Sequence, residues 1–181
     1  MPTIFTLPLA TCLFSNLFQT ILILMKIAIL GYSGSGKSTL ARKLGDQYQI
    51  PVLHLDSLHF LADWVEREPE DERALLGDFM DTHDHWIIEG AYSHMHYKRR
   101  LNEADRIYLL TANRWIRLKR CLQRTAKYYG KTRPDMAEGC NEQVDLGFIK
   151  WVLWDGCRSA RRQEYGRIAQ QYSAKTTVIP R

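Results

Sequence analysis

Residues 31–39 read Gly-Tyr-Ser-Gly-Ser-Gly-Lys-Ser-Thr and match the pattern G-x-x-x-x-G-K-[ST] of a phosphate-binding loop, or P-loop. Glycines at this spacing allow backbone N–H groups to surround phosphate oxygens, and the following helix adds the positive end of its dipole. Lys37 is placed to reach the β- and γ-phosphates, and the Ser38 hydroxyl is placed to ligate Mg²⁺. The predicted nucleotide-binding residues are Gly31, Ser33, Gly34, Ser35, Gly36, Lys37, Ser38 and Thr39.

Two acidic residues follow apolar runs of strand length. Asp56 comes after residues 52–55, and a carboxylate at the carboxyl end of a parallel strand faces the ligand crevice of an α/β protein. There it would accept a substrate hydroxyl proton or help to hold Mg²⁺ through water, the alternative role being a helix N-cap. Glu89 ends the run 86–89 in the position of a Walker B acid, where it would hold Mg²⁺ or its waters. The alternative for Glu89 is a solvated strand end.

Basic residues are concentrated in a predicted helix over residues 113–129. Arg120 and Arg124 share one face of it because they are four residues apart, and a loop at 130–136 adds Arg133. A helix, a basic turn and a second helix are typical of a lid that brings arginines onto a transferring phosphoryl group and excludes water. The rival interpretation is a basic face for a nucleic-acid backbone. The basic residues of the helix are Arg114, Arg117, Lys119, Arg120, Arg124 and Lys127.

Two H-x-H pairs, His83/His85 and His94/His96, are a weaker signal. On a strand each pair would share one face and could bind a metal ion. The spacing fixes no carboxylate or third ligand, so we interpret these histidines as polar surface or substrate-side residues.

Alternating strands and helices position these groups. Strands are predicted at 26–30, 52–55, 86–89, 106–110 and 175–179, with helical spacing of apolar residues between them. A strand thus enters the P-loop and a helix leaves it, which disfavours a Gly/Ser-rich turn that matches the pattern by chance. The alternation predicts an α/β protein with a parallel sheet covered on both faces.

Composition bounds the remaining possibilities. A chain of 181 residues, 45% of them hydrophobic, is long enough for one domain, and its net charge of +5 suits a phosphate-rich ligand. The cysteines have no C-x-x-C spacing, so we predict reduced thiols in a cytoplasmic protein rather than a zinc ribbon or a redox pair. They are Cys12, Cys121, Cys140 and Cys157.

The first residues differ from the rest of the chain. Residues 1–25 carry no charged side chain, but polar residues interrupt the stretch and no flanking charges fix an orientation in a membrane. We predict that residues 1–24 are an extension outside the core, arising from a start codon upstream of Met25, and that no stable membrane insertion occurs. The alternative is a weakly membrane-associating or disordered segment.

The chain from Met25 to Arg181 resembles the P-loop kinases known as DNA topology modulation proteins, the FlaR-like group, which are related to adenylate kinase. The resemblance implies a P-loop NTPase fold of the nucleoside-monophosphate-kinase type, with five parallel strands flanked by helices, and ATP as a ligand. It also implies a small helical lid at about residues 120–140. The segments that carry the resemblance are residues 31–39, 54–56, 86–90 and 130–136, with Gly139 and Cys140.

The resemblance also implies roles for arginines. Arg100 is similar in position to the arginine that holds the acceptor phosphate in nucleotide kinases, and Arg120, Arg124 and Arg133 are similar to lid arginines. The sequence departs from the related kinases at Glu89, where they have Asp before the glycine. It departs from the FlaR-like group at Ala91, where Asn is more frequent.

Two functional hypotheses follow. The first is an adenylate-kinase-like, ATP- and Mg²⁺-dependent phosphotransferase acting on a small acceptor, a nucleotide or nucleoside. Asp56 and Arg100 would bind that acceptor, and Ser38 and Glu89 would hold Mg²⁺. The second is a nucleotide-regulated, DNA-associated protein affecting DNA topology, for which the sequence contains no helix-turn-helix or zinc-finger signal. The predicted catalytic residues of the first are Lys37, Asp56, Arg120, Arg124 and Arg133.

Overall fold

The computed structural model of the protein describes residues 25–154, 156 and 158–180. The predicted extension 1–24, with Cys12, and Cys157 lie outside the described residues. Among the described residues, no helix combines the length and the apolar character that crossing a bilayer requires.

The described strands form one parallel sheet in the order β2-β3-β1-β4-β5. This arrangement, with helices between the strands, confirms the predicted fold. The central strand β1 leads directly into the P-loop, so the loop lies at the middle of the sheet's carboxyl edge. The strands are β1 (Lys26–Gly31), β2 (Val52–His54), β3 (Trp86–Glu89), β4 (Arg106–Thr111) and β5 (Thr176–Pro180).

Helices connect the strands and cover both faces of the sheet. The stretch after β2 begins with helix α2 (Leu55–His59) and continues into a 3₁₀ turn at Ala62–Trp64. The helices are α1 (Lys37–Tyr48), α2 (Leu55–His59), α3 (Pro69–Thr82), α4 (Tyr97–Glu103), α5 (Arg114–Tyr128), α6 (Leu146–Leu153) and α7 (Ser159–Gln171).

The alternation of side chains along β1 explains the two-sided core. Ile27 and Ile29 pack on one face with Ala41 of α1, whereas Ala28 and Leu30 pack on the other face with residues of α3 and α7. Successive side chains of a strand point to opposite faces, so a strand buried on both sides must be apolar throughout. The continuous apolar runs in the sequence correspond to these buried strands.

The predicted lid is a helix, a loop and a second helix. Its first part is the end of α5, and residues 129–145, here called the lid loop, connect α5 to α6. Isolated bridges pair Tyr129 with Glu142 and Thr132 with Asn141, which folds the loop back on itself. The loop predicted at residues 130–136 lies within this segment, since its Gly and Pro interrupt the helical pattern.

Candidate active site

The P-loop has the backbone conformation that its glycines allow. Gly31, Gly34 and Gly36 have φ values of 144°, 71° and 98°, which L-residues with a side chain rarely adopt. A Cβ atom at Gly34 would lie 2.7 Å from the carbonyl oxygen of Arg117 and 2.8 Å from Sγ of Cys121. Gly34 is thus required both for the turn and for the close approach of α5.

Lys37 and Ser38 converge on the predicted Walker B acid. Lys37 Nζ lies 3.5 Å from Glu89 Oε1, and Ser38 Oγ donates a hydrogen bond of 3.1 Å to Glu89 Oε2. The same oxygen lies 3.0 Å from Nδ1 of His54, the last residue of β2. Burial alone would raise the pKa of Glu89, but Lys37 and His54 outweigh it and hold that pKa below its ordinary value. Glu89 is therefore an ionised group in contact with the P-loop.

Asp56 lies in the first turn of α2, next to this cluster. Its Oδ1 accepts a 2.8 Å hydrogen bond from the Tyr92 hydroxyl, and the N-cap position of α2 is held by His54 instead. Burial raises the pKa of Asp56, and the charge of Glu89 raises it further, while Lys37 opposes the shift. The carboxyl group is thus poised as a stronger base than an exposed aspartate.

The predicted lid arginines pair with buried acids of the lid loop. Arg124 Nε donates to Glu142 Oε1 at 2.9 Å, and Arg133 Nε lies 2.5 Å from Glu142 Oε2. Arg133 Nη1 also donates to Asp135 Oδ2 at 2.9 Å, and Arg42 of α1 donates to the other oxygen of Asp135 at 3.1 Å. The Arg42 pair joins the lid loop to α1, the Arg124 pair joins it to α5, and the Arg133 pairs lie within the loop.

Arg120 contacts the P-loop itself. Its Nη1 donates to the Ser35 carbonyl oxygen at 3.4 Å, and its side chain lines the cavity above the P-loop. Arg117, one turn earlier, is buried, stacks 4.8 Å from the centroid of the Tyr32 ring and donates to the Ser33 carbonyl oxygen at 3.5 Å. Three arginines of α5, Arg117, Arg120 and Arg124, therefore contact the P-loop or the lid loop. The other basic residues of the helix, Arg114, Lys119 and Lys127, are exposed.

Two large cavities and a smaller one border this cluster; the smaller one, of about 160 Å³, is lined by Lys37, Asp56 and Tyr92 among others. The phosphate-side cavity, of about 360 Å³, is lined by the P-loop, Arg42, Arg120 and Asp135. The aromatic-side cavity, of about 430 Å³, has a wall of ring side chains. The residues that line both cavities are Ser33, Asp56, Arg124 and Arg133. The rings of the aromatic side are Phe60, Trp64, Tyr92, Phe148 and Trp151.

The lid loop closes onto the aromatic side. Trp64 Nε1 donates to the Asn141 carbonyl oxygen at 3.0 Å, and the Cys140 thiol donates to the Leu61 carbonyl oxygen at 3.0 Å. Asp63 and Trp64 both have positive φ values, 59° and 61°. Such values are uncommon for residues with side chains, and here they aim the indole toward the lid loop. Residues 60–66, here called the aromatic loop, are thus joined to the lid.

Arg100, which was predicted to bind the acceptor, is buried against backbone in the structure. It is 1% exposed, and its guanidinium donates to the backbone carbonyl oxygens of Met95, Gly90 and Tyr92. Burial lowers its pKa to about 10. The guanidinium N–H groups are used by these carbonyl oxygens, and Arg100 lines neither of the two cavities. It shapes the loop after β3 that presents Tyr92.

Several site residues carried no assigned role at the sequence level. Tyr92, His54, Glu142 and Asp135 each contact a predicted site residue, and Arg42 contacts Asp135. Their partners lie between 2 and 93 positions away, so spacing gave no signal for most of them. The exception is Tyr92, which follows the Gly90 turn at the end of β3, the position where a substrate-side residue is expected.

Comparisons with known proteins give similarity in structure only. No protein-family model matches the chain, and no curated protein matches it in sequence. A gluconokinase from Sinorhizobium meliloti 1021 is similar over 87% of this chain and 83% of its own, with 16% identity and a TM-score of 0.49. An uncharacterized protein from Eubacterium ventriosum ATCC 27560 is similar over 85% and 87%, with 16% identity and a TM-score of 0.44. Membership of the topology modulation group therefore stays a prediction.

Proposed function

We propose that the protein is an ATP-dependent phosphotransferase that transfers the γ-phosphoryl group to a ring-bearing small acceptor, a nucleoside or a nucleotide. The observation that carries the proposal is that Asp56, Arg124 and Arg133 line both the phosphate-side and the aromatic-side cavity. A donor on the P-loop and an acceptor among the rings would meet at these three side chains. That is the arrangement that in-line transfer between two bound substrates needs.

The residues near Ser38 fit a magnesium ion. Ser38 Oγ and the ionised Glu89 carboxylate are hard oxygen donors 3.1 Å apart. The Asp135 carboxylate is also close: burial opposes its ionisation, but Arg133 and a hydrogen bond from Ser38 are among the contacts that lower its pKa. In the proposed enzyme Ser38 would bind Mg²⁺ directly, and Glu89 would hold it or its waters. When bound, the ion neutralises charge on the β- and γ-phosphates.

The side chains of the chain itself supply the remaining chemistry. An acceptor hydroxyl oxygen attacks the γ-phosphorus, the bond from that phosphorus to the bridging oxygen breaks, and ADP leaves. The hydroxyl proton passes to Asp56, whose raised pKa makes it an effective base. Lys37 and Arg120 stabilise the developing negative charge, and Arg124 and Arg133 become available when phosphate replaces their acidic partners.

The aromatic side supports an acceptor that carries a ring. The Tyr92 ring and the rings of Phe60 and Trp64 line one part of the cavity, and Phe148 and Trp151 from α6 line another. Flat aromatic walls bind planar groups through stacking, which contributes about 0.5–1.5 kcal/mol per ring pair beyond burial. Tyr92 is held protonated, since burial and Asp56 raise the pKa of its phenol. It therefore orients Asp56 without competing for the substrate proton.

The DNA-binding alternative has less support from the geometry. Three arginines of α5 face inward, and its outer face presents Trp115, Ile116 and Leu122, which are 62%, 43% and 42% exposed. A backbone-binding face is expected to carry an unbroken stripe of basic side chains. Duplex binding that survives near-physiological salt would favour the alternative over the kinase.

The proposal is tested with labelled ATP and a panel of nucleosides, nucleoside monophosphates and non-aromatic polyols. Transfer to a ring-bearing acceptor, lost in Lys37→Ala and in Asp56→Asn, is the expected result. Transfer only to polyols would contradict the proposed ring-bearing acceptor but would support the phosphotransferase activity. No transfer to any acceptor, with residual ATP hydrolysis unchanged in Lys37→Ala, would overturn the proposal.

A further inference from the structure

Outside the two cavities, two histidines from separate elements contact one buried carboxylate. Glu72, in the first turn of α3, has no exposed surface. Its Oε1 lies 2.6 Å from Nδ1 of His59, at the end of α2, and its Oε2 lies 2.7 Å from Nε2 of His94, in the loop after β3. The nitrogen of each histidine and a carboxylate oxygen all lie within 4.8 Å of one another.

These donors are those of a transition-metal site. Two imidazole nitrogens and one carboxylate oxygen form the three-ligand set that binds zinc while leaving a position open. The open side faces a cavity of about 380 Å³, lined also by Glu66, Arg67 and Glu68. Arg67 lines this cavity between the two glutamates in sequence, and its guanidinium donates to the Leu58 carbonyl oxygen at 2.8 Å.

We propose that His59, Glu72 and His94 bind one divalent transition-metal ion of the zinc class, with water in the open position. Ligand atoms about 2.0–2.2 Å from a tetrahedral zinc ion lie about 3.4 Å apart, so the two Glu72–imidazole distances must lengthen by less than about 1 Å, while ligand atoms that now lie up to 4.8 Å apart must approach by up to about 1.4 Å. His94 is the exposed ligand and can make that movement. A cation also compensates the charge of a carboxylate that is otherwise sealed from water.

The ion would stabilise the wall of the aromatic-side cavity. The His59 ring lies 4.7 Å and the His94 ring 5.7 Å from the Tyr92 ring, measured between centroids. Tyr92 in turn holds Asp56 through its hydroxyl. A metal ion that joins α2, α3 and the loop after β3 therefore fixes the position of the Asp56–Tyr92 pair. The metal site rests on its own ligands and does not depend on the proposed kinase activity.

Cobalt binding to the full-length, chelator-stripped protein tests the proposal without any substrate. Co²⁺ is titrated in excess Mg²⁺, which occupies oxygen-donor sites, and visible absorption is recorded. The expected result is one ion per chain with the intense absorption of a four-coordinate site, displaced by Zn²⁺, together with a higher melting temperature. In His94→Ala we expect the affinity to fall at least about 100-fold, because even residues that only support a ligand contribute 10–100-fold.

His83→Ala is the matched control, since His83 follows α3 and contacts the Phe79 carbonyl oxygen instead of Glu72. It is expected to bind Co²⁺ as the unmodified protein does. Glu72→Gln is expected to lose binding, with folding checked by circular dichroism. Absence of Co²⁺ and Zn²⁺ binding in the unmodified protein would overturn the proposal and leave a hydrogen-bonded His-Glu-His triad. Binding that is unchanged in folded His94→Ala would overturn it as well.

Discussion

The P-loop and the lid loop border the same cavity, but different kinds of contact hold them in place. The P-loop is shaped by its own backbone: three glycines with positive φ and local hydrogen bonds such as Ser35 N–H to the Tyr32 carbonyl oxygen. The lid loop is held by charged side chains, Arg42 and Arg124 from outside the loop and Arg133 within it, with Asp135 and Glu142 as the buried acceptors. One region is specified locally, and the other depends on tertiary contacts.

This difference matches what the two regions would do in the proposed reaction. A backbone cradle keeps its shape whether phosphate is present or absent, so it is preorganised for binding. Arginines paired with carboxylates must instead exchange partners to contact a phosphoryl group. The lid is therefore the part whose conformation ligand binding would change, and the following predictions separate the two regions.

The largest effect is expected where the two regions meet, at Asp56. Asp56→Asn should lower kcat by about 10²–10⁴-fold, because a general base contributes that factor. The base works only when ionised, and burial places its pKa above the ordinary aspartate value. Activity should thus be lost as the pH falls through that raised pKa, and the pH–rate profile measures it. A variant that keeps the same acidic limb would show that another group is the base.

Within the P-loop, Lys37→Ala should lower kcat by about 10²–10³-fold by removing one preorganised charge from the transferring phosphoryl group. Nucleotide affinity should also fall, as measured by calorimetry with ADP. Lys43, an exposed lysine later in α1, provides the control in Lys43→Ala. Equal losses in both variants would mean that general positive charge, and not the P-loop position, binds phosphate.

In the lid, Glu142→Gln should lower the free energy of unfolding by about 1.5–3 kcal/mol, since it removes the charge that pairs with both Arg124 and the buried Arg133 and leaves Arg133 only its pair with Asp135. Glu138→Gln, at an exposed position of the same loop, should change it by less than about 0.5 kcal/mol. Urea unfolding compares the two. A stability loss of similar size in both variants would contradict the idea that buried pairs hold the lid.

The smallest difference is expected between two glycines of similar backbone conformation. Gly34 and Gly130 have φ values of 71° and 67°, but a Cβ at Gly130 would meet nothing within 4 Å. Gly130→Ala should therefore lower stability by about 1–2 kcal/mol through backbone strain alone. Gly34→Ala should lower it by about a further 1–3 kcal/mol through overpacking against α5, with weaker ADP binding. Melting curves of the two variants make the comparison.

The sequence was sufficient for the local features. The P-loop, the acids Asp56 after β2 and Glu89 at the end of β3, and the arginine face of α5 follow from short-range spacing, and the structure brings these residues together. The charge pairs of the lid loop were less predictable: Arg133 and Asp135 are only two positions apart, but Arg124 and Glu142 are 18 apart, and Arg42 and Asp135 are 93 apart. The burial of Arg100 was not predictable either, because it depends on three backbone carbonyl oxygens of the loop after β3, and no sequence pattern predicts the conformation of that loop.

The two described cysteines provide separate chemical reporters of these regions. Cys121 is buried below Gly34 of the P-loop, and Cys140 is buried where the lid loop meets the aromatic loop. Burial raises the pKa of the Cys121 thiol, which slows its reaction further. With Cys12 and Cys157 replaced by serine, alkylation of Cys140 would follow opening of the lid. Alkylation of Cys121 would require separation of α5 from the P-loop. The relative labelling rates of the two cysteines therefore compare the free energies of these two opening movements.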